Sequence, residues 1–364
     1  MSVFPRLESQ NPYPQAVTLT VDLQANPDEK TWEIRATLDQ QEQWLSLLSG
    51  KLKLSLRGGT LQLRGQGGTL TPNQELPPNI QQRPSSPSEC QWQIRFPLAL
   101  EPLALANFNP KDQTGYLAAT FTITPPDLAI AESQGLWPPD LSPNQLAIAD
   151  RLIAQFLVND WFPPALSWGQ WAIDADIPWQ PLYTHPDAET LREKEMILGD
   201  RLQLLANAST SNLLALAQLV GLDPQRDLAG GKFVGANLSG IDLSNAQLAG
   251  SNFRGAILTD ADLNGANLTQ SNFRGADLSG AYLEGANLTQ ADFRKSSLAL
   301  VNLIGADLTQ ANLQGTALNS ANFSAANLSQ TQLGDNAGIT PEQQMALIEQ
   351  GAKLMPVSDR EMLS

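Results

Sequence analysis

Few side chains in this sequence could do covalent or acid–base chemistry. There is one cysteine, Cys90, and one histidine, His185, so a thiolate activated by an imidazole would need these two residues to meet. Asp174 and Asp176 form a close carboxylate pair in an aromatic setting, which is weak evidence for general acid–base catalysis. No ligand cluster has the spacing of a metal site. We therefore expect no enzyme activity, no metal and no cofactor.

Tryptophans accompany these carboxylates. Because Trp beside Asp can stack on sugars and accept their hydroxyl hydrogen bonds, the segment could form a carbohydrate- or small-ligand-binding module. The alternative is that the rings pack a small domain and bridge to the helices that follow. The residues concerned are Trp137, Trp161, Trp168, Trp171 and Trp179, with Asp160, Asp174 and Asp176 between them.

Arg57-Gly58-Gly59 and the stretch from Arg64 to Gly68 are rich in Arg and Gly, as some phosphate-binding loops are. Neither is followed by a helix or lies in a basic setting, so we predict hairpin turns instead.

Charge and composition exclude several classes of partner. The net charge is −15 and only 16% of residues are charged. An acidic chain lacks the basic face that phosphate neutralisation requires, so we expect no nucleic acid partner. We also expect no adsorption to an anionic membrane and no membrane insertion, since there is no long apolar run. A single cysteine forms no internal disulfide, and the N-terminus lacks the pattern of a signal peptide, so a cytoplasmic protein is expected.

Residues 1–186 predict a β-rich α+β domain with one helix, either a sandwich or a half-barrel, that resembles no family we know. All eight tryptophans lie before residue 231. Apolar residues alternate in several of the expected strands, as half-buried antiparallel strands require. Thr71 to Cys90 predicts a mobile loop, and Ser142-Pro143 the start of a helix. The expected strands are Ala16–Gln24, Thr31–Leu38, Leu52–Arg57, Thr60–Arg64, Gln91–Leu98 and Tyr116–Thr124.

A period of five residues dominates the chain from 231 to 335. Every fifth residue from Phe233 to Leu333 is Leu or Phe, at 21 positions, and 13 of the residues two places earlier are Ala. Neither a helix nor a plain strand has this period. A chain that turns a corner every five residues would place the Leu and the small residue inside, and four sides would make a coil of about 20 residues that stacks at about 4.8 Å. Gly at many corners, such as Gly255 and Gly265, would ease the turns.

The unit, seen clearly in Ala261-Asp262-Leu263-Asn264-Gly265, resembles the A(D/N)LXX motif of the pentapeptide-repeat family. The resemblance covers about 105 residues and implies a mainly β fold, a right-handed quadrilateral β-helix. The lead-in at Leu222–Gly230 resembles that of cyanobacterial members, so a cyanobacterial origin is expected.

A 20-residue coil aligns residues in columns and indicates two surfaces that could contact a partner. Arg254, Arg274 and Arg294 form an outward column of like charges, either solvated or facing an acidic partner patch. Tyr282, Leu300 and Ile304 fall at outward positions and cluster near one corner, which indicates a contact patch or a corner covered by another segment of the chain. The columns also predict an inward phenylalanine ladder from Phe233 to Phe293 and an outward glutamine ladder.

An open end of such a stack exposes unpaired strand edges, so caps are expected. Residues 187–230 predict a helical linker and N-terminal cap, broken near Ala208. Residues 336–364 predict a C-terminal helical cap and tail, with Thr340 as N-cap and Pro341 at the first helical position. Met345, Ile348 and Ala352 would form its apolar stripe. The cap could instead join two copies in a homodimer, as in some members of the family.

These features predict a non-catalytic scaffold for an unidentified protein partner. Some members of the resembled family mimic duplex DNA and bind gyrase, which is the alternative. Residues 231–335 carry eight acids and five bases, however, so their net charge is only −3. The bases line one face, which fits an acidic DNA mimic poorly.

Overall fold

The computed structural model describes residues 17–26, 31–40, 43–66, 68–73, 76–77, 79–84, 86–95, 103–110, 115–138, 140–162, 167–173 and 187–355. The chain divides into two compact units. The first comprises Met1–Leu136 and Ala154–Ile197, and the second Trp137–Ile153 and Leu198–Ser364. The division does not coincide with the boundary predicted at residue 186. The segment Trp137–Ile153, which contains the start of the first long helix, groups with the repeats. The four predicted domain ranges remain predictions.

The described residues of the first unit include three antiparallel sheets. The first has the order β1 (Val17–Asn26), β2 (Thr31–Gln40), β9 (Leu103–Pro110) and β6 (Gly68–Pro72). The second has the order β12 (Ser167–Ile173), β10 (Gly115–Thr122), β5 (Gly58–Gln66), β8 (Glu89–Arg95) and β7 (Ile80–Gln82). The third has the order β11 (Leu128–Gln134), β4 (Gly50–Leu56) and β3 (Gln43–Leu47). A 3₁₀ turn at Pro125–Asp127 precedes β11.

The six predicted strands are present with shifted ends, but two predictions in this region are wrong. The Arg-Gly stretches are not hairpin turns: Gly58 to Gln66 is one strand, β5. A Cβ atom at Gly65 would lie 2.9 Å from the ring of Phe108, so the glycine makes room for an aromatic side chain. The segment from Thr71 to Cys90 is not one loop either, because it contains β7 and the start of β8. Cys90 is buried in β8.

Helices precede the repeats as expected. The helix opened by Ser142-Pro143 is α1 (Pro143–Phe156), which runs into a π-helical turn at Leu157–Trp161. The next predicted helical region is α2 (Ala188–Ala206) and α3 (Leu213–Leu219), separated near Ala208 as predicted. Asn212 caps α3 by accepting from the N–H of Ala215 at 3.0 Å.

From residue 231 the chain forms stacked coils of four turns each. Parallel bridges join residues 20 apart, from Lys232 with Asn252 to Ala317 with Ala337. Within a turn, the first and third residues point inward and are almost all buried. We number the four faces of the coil from the first turn. Residues 231–235 begin the first face, 236–240 the second, 241–245 the third and 246–250 the fourth. Each face contains the equivalent residues of every coil, 20 positions apart. The predicted period and inward phase are therefore confirmed.

The C-terminal end of the stack is closed by the segment that follows the last turn. Thr340 and Gln343 form a capping box at the start of α4 (Pro341–Glu349), with Pro341 at its first position as predicted. After α4 the chain adds a short strand, β14 (Lys353–Leu354), in parallel to β13 (Gln332–Leu333). The N–H of Lys353 donates to the carbonyl of Thr331 at 2.7 Å. This pairing covers part of the open strand edge.

Candidate functional site

The fifth residue of each repeat adopts a left-handed backbone conformation. This residue has a positive φ in almost every turn, for example 64° at Gly255 and 63° at Gly265. Glycine adopts this conformation without strain, which explains its frequency at the corners. Eleven of the 21 corners from 235 to 335 hold other residues, among them Gln270, Gln290 and Leu300, all with φ near 59°.

The second position of the repeat explains the preference for Asn or Asp. Its side-chain oxygen accepts the backbone N–H two residues on, as Asp262 does from Asn264 at 3.0 Å and Asn272 from Arg274 at 3.0 Å. This bond satisfies an amide that the turn leaves without a backbone acceptor. The repeat motif therefore specifies the turns as well as the buried core residues.

Both predicted ladders are present. The rings of Phe233, Phe253, Phe273 and Phe293 stack at centroid distances of 4.8, 4.9 and 4.8 Å. On the outside, the amide of Gln270 donates to Gln290 at 2.5 Å and that of Gln290 to Gln310 at 2.7 Å. Because these glutamine side chains hydrogen-bond to each other within the column, we infer that the ladder stabilises the coil itself.

The arginine column lies on the first face, and Asp292 lies beside it. The guanidinium of Arg294 pairs with Asp292 at 2.6 Å. Burial raises the pKa of Asp292, but hydrogen bonds and attraction from Arg294, together with the charge of Arg274, outweigh it, and the pKa is lowered. Arg254 is exposed and Arg274 is half-buried. Whether this column meets an acidic partner remains a prediction.

Tyr282 and Ile304 belong to the third face and Leu300 to the turn that leads into it, and we call these three residues the apolar corner. Tyr282 is 49% exposed and Leu300 is 68% exposed, while Ile304 is half-buried. Tyr282 bridges Asn302, which lies between Leu300 and Ile304 in the next coil. No described segment shields Tyr282 or Leu300 from solvent, so the alternative of a covered corner has no support among the described residues.

Each member of the apolar corner replaces a Gly or a polar residue that the other coils carry in the same column. Leu300 adopts a φ of 59° at a fifth position, where a Cβ atom costs about 1–2 kcal/mol. Tyr282 occupies a second position and has no oxygen that can accept from its own turn. Ile304 occupies a fourth position that holds Ser244, Asn264, Glu284 and Ser324 in the other coils.

Sequence reasoning missed the polar contacts at the N-terminal end of the stack. Arg151 of α1 is fully buried, and its guanidinium donates to the carbonyl of Ala229 at 2.9 Å and pairs with Asp150. Asn144 donates to the carbonyl of Asn237 at 3.2 Å. These contacts could have been anticipated from the sequence of α1. Its apolar residues lie around most of the helix circumference, which predicts that it packs on more than one side. Leu146 of the same helix is exposed.

At the other end, the predicted apolar stripe is only partly buried. Ala352, which follows the end of α4, is buried as predicted, whereas Met345 is 63% exposed and Ile348 is also exposed. The buried apolar residue of α4 is Leu347 instead. A groove of about 290 Å³ lies between α4 and the last coil, lined by Leu318, Phe323, Ile339, Ala346 and Leu347 among others.

The Trp-rich segment is described only in part. Asp174, Asp176, Trp179 and His185 lie outside the described residues, as do the side chains of Trp168 and Trp171. Within the described residues, the ring of Trp161 packs at a tilt on Phe156, with centroids 5.8 Å apart. No group of three or more His, Cys, Asp and Glu side chains in the described part of the chain could hold a metal ion. None of the described helices is long and apolar enough to cross a bilayer.

The chain is similar to known repeat proteins over its C-terminal part. The family of pentapeptide repeats matches eight copies within residues 227–260, 261–299, 271–310 and 302–335. A pentapeptide repeat protein from the Arabidopsis thaliana thylakoid lumen is 31% identical, over 33% of this chain and 80% of that one, with a TM-score of 0.25.

Two cyanobacterial structures are also similar. Rfr23 of Cyanothece 51142 is 26% identical over 30% of this chain and 91% of its own, with a TM-score of 0.17. HetL of Nostoc sp. strain PCC 7120, described as involved in heterocyst differentiation regulation, is 25% identical over 29% and 67%, with a TM-score of 0.17. No curated protein matches the chain.

Proposed function

We propose, from the membership of residues 227–335 in the pentapeptide-repeat family, that this chain is a non-catalytic scaffold that binds a protein partner at the apolar corner. Proteins of this family are in general structural or interaction proteins. We further take the stacked coils to be the right-handed quadrilateral β-helix of the family, and the protein to be cytoplasmic and of cyanobacterial origin.

One observation carries the proposal. Three apolar side chains, Tyr282, Leu300 and Ile304, replace Gly or polar residues on or next to one face of two neighbouring coils. Tyr282 lacks the side-chain acceptor that its turn would use, and Leu300 and Ile304 place apolar side chains where the other coils carry Gly or a polar residue. Natural sequences keep such local conflicts mainly where function requires them. Exposed apolar side chains grouped on an otherwise polar solenoid are typical of protein contact sites.

Other candidate functions have less support. A DNA mimic that binds gyrase would need a continuous acidic surface, and the bases of the first face interrupt it. A carbohydrate site in the Trp-rich segment would rest on residues outside the described part of the chain. A homodimer through α4 is favoured by one specific observation, since Met345 and Ile348 point away from the coil. Sedimentation of the Met345→Ser variant would test it.

The test gives the apolar corner the residue types that the other coils carry. The variant Tyr282→Asn, Leu300→Gly, Ile304→Ser uses residues that equivalent turns of this chain already contain. The control is Ile257→Asn, which removes another exposed apolar residue and copies Asn237 of the same column. Full-length wild type and both variants are immobilised and exposed to lysate of the source organism. We expect proteins that wild type and Ile257→Asn retain and the corner variant loses. Equal retention by all three would refute the proposal.

A further inference from the structure

The charges of the coils are sorted by face. All five bases lie on the first face, where Arg254, Arg274 and Arg294 form the column and Lys232 and Lys295 flank it. The third face, on the opposite side of the coil, carries Asp242, Asp262 and Glu284 and no base. The small net charge of the coils therefore conceals two surfaces of opposite sign.

Carboxylates lie beside the apolar corner, on its N-terminal side. Asp262 lies one coil below Tyr282 in the same column, joined to it by a parallel bridge. Glu284 lies one coil below Ile304, since the N–H of Gly285 donates to the carbonyl of Ile304 at 2.9 Å. Asp260 lies two coils below Leu300, and its carboxylate rests against Gly280 between them. Asp260 and Glu284 are exposed.

These three carboxylates make no ion pair among the described residues. Asp262 accepts the N–H of Asn264 through one oxygen, which is a backbone bond of its own turn. Any protein surface that covers Tyr282 and Ile304 must also cover Asp262 and Glu284, each of which is one coil away at about 4.8 Å. Removing a carboxylate from water without a compensating charge is costly, so an apolar partner alone would bind poorly.

Resting on the proposed function, we propose that the apolar corner and the carboxylates of Asp260, Asp262 and Glu284 bind a basic, apolar segment of a partner protein, with Leu- or Ile-type side chains flanked by Lys or Arg. The apolar side chains pack on Leu300, Ile304 and the ring of Tyr282. The cations meet the carboxylates and offset their desolvation. Repulsion from the arginine column disfavours the first face, so the charge distribution also selects the side of the coil.

The experiment uses full-length protein and labelled peptides of defined composition, with fluorescence anisotropy as the readout. One peptide alternates Lys and Leu, a second Glu and Leu, and a third Lys and Ser. The charge variant is Asp262→Asn, Glu284→Gln, which keeps the size of both side chains and the turn bond at position 262. The apolar variant is Leu300→Gly, Ile304→Ser. The control is Asp307→Asn on the fourth face, which copies the Asn residues at 267, 287 and 327 of the same column.

We expect the Lys–Leu peptide to bind wild type and Asp307→Asn equally, and to bind both site variants about fivefold or more weakly. The Glu–Leu and Lys–Ser peptides should bind wild type about tenfold more weakly than Lys–Leu, and salt should weaken the Lys–Leu complex. Equal binding of Lys–Leu to all variants would mean adsorption to an acidic chain and would overturn the inference. So would self-association of the protein that both site variants abolish, because the occupant would then be a second copy.

The two proposals fail in different ways. If the corner variant loses its protein partner while the charge variant keeps it and the Lys–Leu peptide does not bind, the scaffold stands and the basic partner does not. If neither variant changes the retained proteins, the proposed function itself fails.

Discussion

Asn264 supplies a hydrogen bond that the turn of Tyr282 cannot make for itself. Its Oδ1 accepts the backbone N–H of Glu284 from the neighbouring coil at 2.8 Å. In other coils the equivalent N–H donates to an Asn or Asp side chain at the second position of its own turn. Examples are the N–H of Ser244 with Asp242 and that of Ile304 with Asn302. The coil thus keeps the amide satisfied while it displays an aromatic ring.

Asn264→Ala should therefore lower stability by about 1 kcal/mol, since it leaves the N–H of Glu284 without its acceptor. In the Tyr282→Asn background the loss should be smaller, because the introduced asparagine can accept from its own turn. Chemical denaturation of the two single variants and the double variant measures this coupling. Additive losses would contradict the compensation.

The glutamine ladder can be separated from backbone strain at Gln290. Gln290→Ala removes both ladder bonds and keeps a Cβ atom at a φ of 59°, so we expect a loss of about 1 kcal/mol. Gln290→Gly removes the same bonds but relieves the strain, and should be more stable than the alanine variant by about 1 kcal/mol. Thermal melts compare them. If the two variants melt together, the fifth position carries no strain.

Arg151 should be important for the N-terminal end of the stack. Arg151→Met leaves the buried Asp150 with the more distant cation of Lys232, at 3.6 Å, and removes this donor from the carbonyl of Ala229. Breaking such a buried pair costs about 3–5 kcal/mol. The control is Arg226→Met, since the Arg226 side chain is 84% exposed and its pair with Asp223 should contribute little. Comparable losses of stability in both variants would show that Arg151 does not stabilise the N-terminal end of the stack.

Acid should weaken the coil partly through Asp292. Its pKa is lowered in the folded chain, so its contribution to stability is full above the ordinary Asp pKa of 3.8 and is lost as the pH falls through the lower folded value. Asp292→Asn should remove this contribution and flatten the acid side of the stability profile. Melting midpoints from neutral pH into the acid range measure the slope, and an unchanged slope would contradict the assignment.

Local rules in the sequence were enough to predict the coil. A core residue every five positions, a small inward neighbour and an Asn or Asp before the core residue each act within one turn, and columns such as Phe233 to Phe293 follow from the repeat length. Long-range contacts were not predictable in this way. Arg151 meets Ala229 across 78 residues, and Gly65 makes room for Phe108, whose position depends on the pairing of β9 with its neighbours. Six strands of this unit, β3, β6, β7, β9, β11 and β12, were not predicted either.

The central claim is that the apolar corner is kept for binding at the expense of the coil. Leu300→Gly tests it most directly, with the melting midpoint and partner retention measured on the same preparation. The account predicts that the variant is as stable as wild type or up to about 1 kcal/mol more stable, because glycine relieves the positive φ, and that it loses the partner. A less stable variant that still retains the partner would contradict the account.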